Sequence, residues 1–144
     1  GAVAGLATIT PAAGYVGPMG AIMLGLLGST TCFYAVQLVK QRLKIDDSLD
    51  VFAVHGVGGM LGSLLFPFFI LPALGGGGFE EGSNLASQLV AQAIGVTLVA
   101  AWTGFMTWLV CFASSYVMPM RVDEEAEHDG LDLASHGERG WELD

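Results

Sequence analysis

The chain has 144 residues, 53% of them hydrophobic and 13% charged, with a net charge of −9 and a mean hydropathy of +0.60. A soluble domain of this size carries about twice that share of charged residues, so the composition excludes an ordinary soluble surface and points to lipid as the solvent. Five Lys and Arg against 14 Asp and Glu also give no basic face for nucleic acid.

Residues 1–16, GAVAGLATITPAAGYV, are small, apolar and uncharged, and too few for a crossing of about 20 residues. They read as the end of a span in a longer protein, because the chain opens inside an apolar run without the basic start of a signal peptide. From Gly17 to Val39 there are 23 residues without a charge. Pro18 opens them, and its missing N–H costs nothing at a helix start; a span over 18–39 is expected. Lys40 to Asp47, KQRLKIDD, then forms a polar connector. Between Val51 and Phe79 there is no Asp, Glu, Lys or Arg, and Pro67, Pro72 and the glycines 75–78 predict a span over 50–72 that bends or ends near Leu71. No GK[ST] follows those four glycines, so they read as a flexible connector rather than a phosphate loop.

Residues 83–120 are again uncharged. A helix over 84–118 would be about 50 Å long at 1.5 Å per residue, against a hydrocarbon core of roughly 30 Å. It should tilt, bend or project from the membrane. Trp102, Phe105, Trp108 and Phe112 recur along one face of it, a pattern of lipid or inter-subunit contact. Residues 121–144 hold nine acids against Arg121 and Arg139, which is −7 of the −9 net charge. The chain thus divides into a transmembrane part, 1–120, and a polar tail, 121–144, in which His128 and His136 read as solvated.

Lys and Arg collect on the cytoplasmic side. All five lie at Lys40, Arg42, Lys44, Arg121 and Arg139, so the 40–47 connector and the tail are expected in the cytoplasm, with Pro18 and the Glu80–Glu81 loop opposite. Twenty-one glycines suit closely packed membrane helices, with Gly58/Gly62 and Gly1/Gly5 as GxxxG pairs. Cys32 and Cys111, far apart and without a CxxC or a histidine at ligand spacing, read as buried free thiols. No metal or cofactor is expected.

The stretch DVFAVHGVGGMLG, 50–62, places His55 in a segment with no further acid or base until Glu80. A histidine there can be a packing residue bonded to a backbone carbonyl. Ionisable groups within a membrane more often face a cavity or pathway, and here Asp46, Asp47 and Asp50 lead in while glycines 56, 58 and 59 follow. A neutral imidazole donates from one nitrogen and accepts at the other, and it can relay a proton. It has no second ligand at i+3 or i+4 for a metal. Asp47 and Asp50 share a face at the entrance, where either acid can cap the helix start, and for Asp50 two readings stay open, helix cap or vestibule. No GxSxG, HExxH or second intramembrane histidine supports catalysis, so an enzyme is not expected.

Three stretches, AGLATITPAAGYVGP (4–18), LKIDDSLDVFAVHGVGGMLG (43–62) and EEAEHDGLDLASHGE (124–138), resemble successive motifs of the ammonium transporter family, Amt/Mep/Rh, and its bacterial and plant-type Amt branch in particular. Their order and spacing match, and the resemblance covers essentially the whole chain. It implies an all-α integral membrane protein, a homotrimer of eleven-helix subunits, each with its own apolar pore. This chain would be the end of the eighth helix, the ninth to eleventh, and a cytoplasmic tail, in the inner or plasma membrane of the cell. His55 resembles the second of the family's twin pore histidines; the first belongs to a helix outside this sequence. Val51 and Val3 resemble apolar pore-side positions, Asp50 an acid near the inner exit, and Thr10 part of the TPAAG loop.

The implied function is ammonium/ammonia transport: NH4+ is recruited and deprotonated outside, and NH3 passes the histidine pair with coupled proton transfer. Gly130, Leu131, Asp132, His136, Gly137 and Glu138 resemble the regulatory tail that packs under the neighbouring subunit, with Trp141 where the family often has a tyrosine. The implied partners are ammonium or ammonia, membrane lipid, two further subunits and a PII-type signalling protein at the cytoplasmic face. A non-conducting ammonium sensor on the same scaffold, and an inactive truncated fragment, are the alternatives. One tension accompanies this reading: in a helix that starts at Asp50, His55 is only about 7 Å along, shallow for mid-pore unless Asp46–Asp50 dip inward.

Overall fold

In the structure, a computed structural model, residues 1–138 are described, and every regular element among them is helical. Trp141 and Arg139 lie outside the described residues. The chain forms two compact units, Gly1–Ala100 and the residues from Ala101 onward.

In the first unit, α1 (Ala2–Ile9) tightens into a 3-10 turn at Thr10–Ala12. Gly17 is extended and Pro18 occupies the first helical position of α2, Pro18–Gln37, where no backbone N–H is needed. The helix does not stop at Val39. It widens into a π-turn, Leu38–Arg42, so Lys40 and Arg42, expected in a connector, are helical. Cations are favoured at a helix C-terminus, and their long stems can follow the helix while the charged heads reach water.

A second π-turn, Val51–Gly56, leads into α3, Val57–Phe69. Pro67 is buried inside the last turn; it has no N–H to donate to the carbonyl four residues back, and the helix ends two residues after it. Leu71 is extended and a 3-10 turn follows at Pro72–Leu74. Next, α4 runs from Leu85 to Ser115. Its start is fixed reciprocally: the Ser87 N–H donates to Asn84 Oδ1 at 3.0 Å and the Asn84 N–H donates to Ser87 Oγ at 2.9 Å, a capping-box arrangement. Pro18–Arg42, Val51–Phe69 and Leu85–Ser115 are each long and apolar enough to cross a membrane.

The first three helices pack through small residues, because apolar burial drives nothing between helices in lipid and close backbone contact must replace it. The Ser29 hydroxyl donates to the Gly1 carbonyl at 2.8 Å, and a Cβ on Gly5 would meet Ser29 Oγ at 3.3 Å. Thr8 is fully buried between Gly28 of α2 and Gly58 and Gly62 of α3. A Cβ on Gly28 would collide with the Thr8 side chain, and one on Gly62 with the Thr8 carbonyl. The Thr8 hydroxyl donates to Ala4 O at 2.9 Å, which removes the cost of burying it. At the other end, Ala12, Leu24, Phe66, Phe69 and Ile70 form an apolar cluster, with Tyr15 edge-on to Phe66 at 5.6 Å.

The run Gly75–Gly78 is not the flexible connector expected. Its amides are bonded: Gly76 N–H to Leu71 O at 3.1 Å, Gly77 N–H to Tyr15 O at 2.9 Å and Gly78 N–H to Ile70 O at 2.7 Å. A Cβ on Gly17 would overlap the Gly75 backbone. Glycine is required here for close approach rather than for looseness.

The second unit begins within α4. Phe105, Trp108, Phe112 and Tyr116 form an exposed ladder, with Trp108 stacked on Phe112 at 5.6 Å and Phe112 edge-on to Tyr116 at 5.2 Å. Cys111 is exposed, not buried as expected, because α4 buries none of its side chains. Composition alone favours a disordered tail, yet the described part is ordered by local bonds. The Asp123 carboxylate accepts from Ala126 N–H at 2.8 Å and opens α5, Glu124–Asp129. Arg121 pairs with Glu127 at 2.9 Å and holds that carboxyl below its ordinary pKa. Gly130 follows at φ 92, and a π-turn, Asp132–His136, closes on Gly137 at φ 66. The Ala134 N–H bonds back to Gly130 O at 3.0 Å. Gly130→Ala forces an L-residue into that backbone region at about 1–3 kcal/mol; its expected signature is lost hydrogen-exchange protection at Ala134.

Candidate functional site

The site is built by the reversal between α2 and α3. The π-turn at the end of α2 leaves Leu43 N–H bonded to Leu38 O and Ile45 N–H to Val39 O. Lys44 (φ 52) and Asp50 (φ 56) then take left-handed backbone, unusual for residues other than glycine, and this folds the chain back over the end of α2.

One carboxylate in the reversal starts the next helix. Asp47 Oδ1 accepts from Val51 N–H at 2.8 Å and Asp47 Oδ2 from Ala53 N–H at 3.1 Å. Burial pushes the Asp47 carboxyl upward, but the backbone donors Ala53, Phe52 and Val51, with the Lys40 charge, outweigh it and leave its pKa lowered. Asp50 has no capping bond. Its Oδ1 lies 2.7 Å from Lys40 Nζ, a charge contact rather than a directed hydrogen bond. The cap reading kept open for Asp50 is therefore corrected: Asp47 is the cap, because the left-handed turn leaves the Asp50 carboxylate on Lys40.

A carboxyl whose folded pKa is depressed contributes stability that is present above its unfolded pKa and is lost as pH falls through the folded one. The cap should be intact above the ordinary value of 3.8 and fail below it. Hydrogen-exchange protection factors at Val51 and Ala53 should fall over that acid range. In Asp47→Ala they should be low at every pH.

His55 is exposed on the π-turn, and among the described residues it has no hydrogen bond or ion pair. Both ring nitrogens are thus open to a molecule or a side chain from outside the chain. Behind it, the Cys32 thiol reaches Val54 O at 3.7 Å and ties the turn to α2. Contacts run from Gly1 with Ser29 to Gly5 with Gly25, and from Gly20 with Phe69 to Cys32 with Gly58, so α2 is antiparallel to both α1 and α3, and α1 is parallel to α3. Followed five residues from Thr8, which meets Gly58 and Gly62, toward the start of α1, this register puts Val3 at the level of residues 53–57. Val3 and Val51 are 59% and 54% exposed, so all three expected pore-side residues present accessible surface. A cleft of about 490 Å³ is lined by Gly1, Ala4, Cys32, Asp50 and Val54 among others; His55, Val51 and Val3 are not in its lining. The tail residues Gly130, Asp132, His136, Gly137 and Glu138 lie in the other unit.

Sequence reasoning offered both Asp47 and Asp50 as caps, and the bonds from Val51 and Ala53 select Asp47; it missed the Lys40–Asp50 pair and the π-turn. Among the described residues, no three of His, Cys, Asp and Glu come together as a metal site.

Residues 1–141 match the model of the Ammonium Transporter Family. The chain is 36% identical to an ammonium transporter of Bacillus subtilis, over 99% of this chain and 35% of that protein. It is 40% identical to an ammonium transporter of Corynebacterium glutamicum, over 99% and 32%. Among solved structures, it superposes on one titled Sensor Amt Protein with a TM-score of 0.81 at 32% identity, covering 92% of this chain and 32% of that one. The chain thus spans about a third of the length of these relatives.

Proposed function

From the premise that this chain belongs to the ammonium transporter family, we propose that it forms the C-terminal third of a subunit that moves ammonium or ammonia across the cell membrane. The observation that carries the proposal is His55, an exposed imidazole on the first turn of an apolar helix long enough to span. A dry, apolar pore makes a bare NH4+ costly and lets NH3 cross. His55 accepts the proton or hydrogen-bonds the passing molecule, Val51 and Val3 line the path, and Asp50 sits at the inner vestibule. NH4+ is deprotonated outside and the proton follows past a histidine pair whose other member lies upstream.

The subunit works as a homotrimer with its tail in the cytoplasm. Gly130, Asp132, His136, Gly137 and Glu138 couple neighbouring subunits there, and a PII-type signalling protein docks on the same face. The distribution of Lys and Arg supports this orientation.

A complete subunit carrying this chain, reconstituted into liposomes, should give an ammonium-evoked current that K+ does not replace. A second reading, a sensor without flux, is favoured by the superposition on a structure titled Sensor Amt Protein. It predicts saturable ammonium binding with no current, so one preparation separates the two.

A further inference from the structure

The first N–H groups of a helix lack partners within it, and most helices satisfy one of them with a residue directly ahead. Here Val51 and Ala53, two residues apart, donate to the two oxygens of a single carboxylate, that of Asp47. Holding both fixes the rotation of the turn as well as its place. That turn is a π-turn, Val51–Gly56, with one residue more than α-helical geometry would use. Relaxing it to an α-turn would rotate the side chains ahead of Gly56 by about 100° relative to α3, since 3.6 residues make a full turn. His55 lies inside the stretch that would rotate. The neighbouring acids take no part in this, since Asp46 is exposed and Asp50 is on Lys40.

We propose that Asp47 is the positioning residue of His55, holding Val51–Gly56 in the π register and so setting the side of the helix on which the imidazole stands. The transport consequence rests on the pore-histidine reading above, while the positioning itself does not.

The test uses a complete subunit carrying this chain, labelled with 15N-histidine, with the His55 ring signals identified by their absence in His55→Ala. In Asp47→Ala, those ring signals should shift and broaden as the amides of Val51 and Ala53 lose protection. Maximal ammonium flux should fall by roughly tenfold or more with little change in half-saturation. In a His55→Ala background, Asp47→Ala should add nothing further, because its effect passes through the imidazole. Should Asp47→Ala not fold, Asp47→Asn serves, since it keeps one acceptor oxygen and should move the same signals less. Ring signals that stay put while the amides open would overturn the proposal, as would a flux loss that adds fully to that of His55→Ala. Ring signals that move while His55→Ala itself leaves flux intact would confirm the positioning and sink the pore-histidine reading instead.

Discussion

His55→Ala in a complete subunit carrying this chain is expected to lower ammonium current by about 10²-fold or more, the contribution typical of a placed proton acceptor. The imidazole is the one ionisable side chain between Asp50 and Glu80, and an imidazole can both accept and donate a proton. His55→Gln keeps a donor and an acceptor but cannot take up the proton. If the histidine serves to relay protons, Gln should fail as badly as Ala. If it serves only to hydrogen-bond a passing molecule, Gln should retain most of the flux. Current recorded in liposomes containing wild type and both variants decides the point, and three equal currents would remove His55 from the mechanism.

Gly62→Val is expected to unfold the three-helix packing. Even the first added carbon would collide with the Thr8 carbonyl, and backbone cannot yield as a flexible side chain can. Overpacking costs about 1–3 kcal/mol where a core can adjust, and this site should lie at or beyond the upper end. Gly59→Ala, three residues earlier, is the matched control. Nothing lies within 4 Å of a Cβ there, and Ala is the better helix former by about 1 kcal/mol. Detergent titration of the chain followed by circular dichroism should show Gly62→Val losing helix early and Gly59→Ala at or above wild type. Equal midpoints would mean that α1 and α3 do not approach as described.

The helical class was readable from the chain because charge-free runs, Pro18 and the turn chemistry around them act locally. His55 stood out for the same reason, a lone ionisable group in apolar surroundings. Choosing between Asp47 and Asp50 as the cap was beyond local rules, because both acids precede the same helix and the choice depends on a left-handed backbone at Asp50, a residue with no glycine to announce it. The π-turns have no residue signature at all. At Lys40 and Arg42 charge suggested a loop, but charge at a helix end is compatible with helix. The Gly75–Gly78 run misled in the opposite direction: the same residue type serves looseness and close contact, and only the position of Tyr15 and Gly17 reveals which.

The seam around Thr8 has a bearing on leakage. A membrane protein that handles ammonium has to keep protons from crossing anywhere except along its intended route, and protons cross along strings of water bonded to unmatched polar groups. Where the first three helices meet, the Thr8 hydroxyl is matched by Ala4 O and the Ser29 hydroxyl by Gly1 O. At Gly28 and Gly62 there is no room even for one carbon. Such a seam leaves little room for a string of water, and widening it by a Thr8→Ala exchange is expected to raise proton leak in liposomes of a complete subunit before the helices come apart.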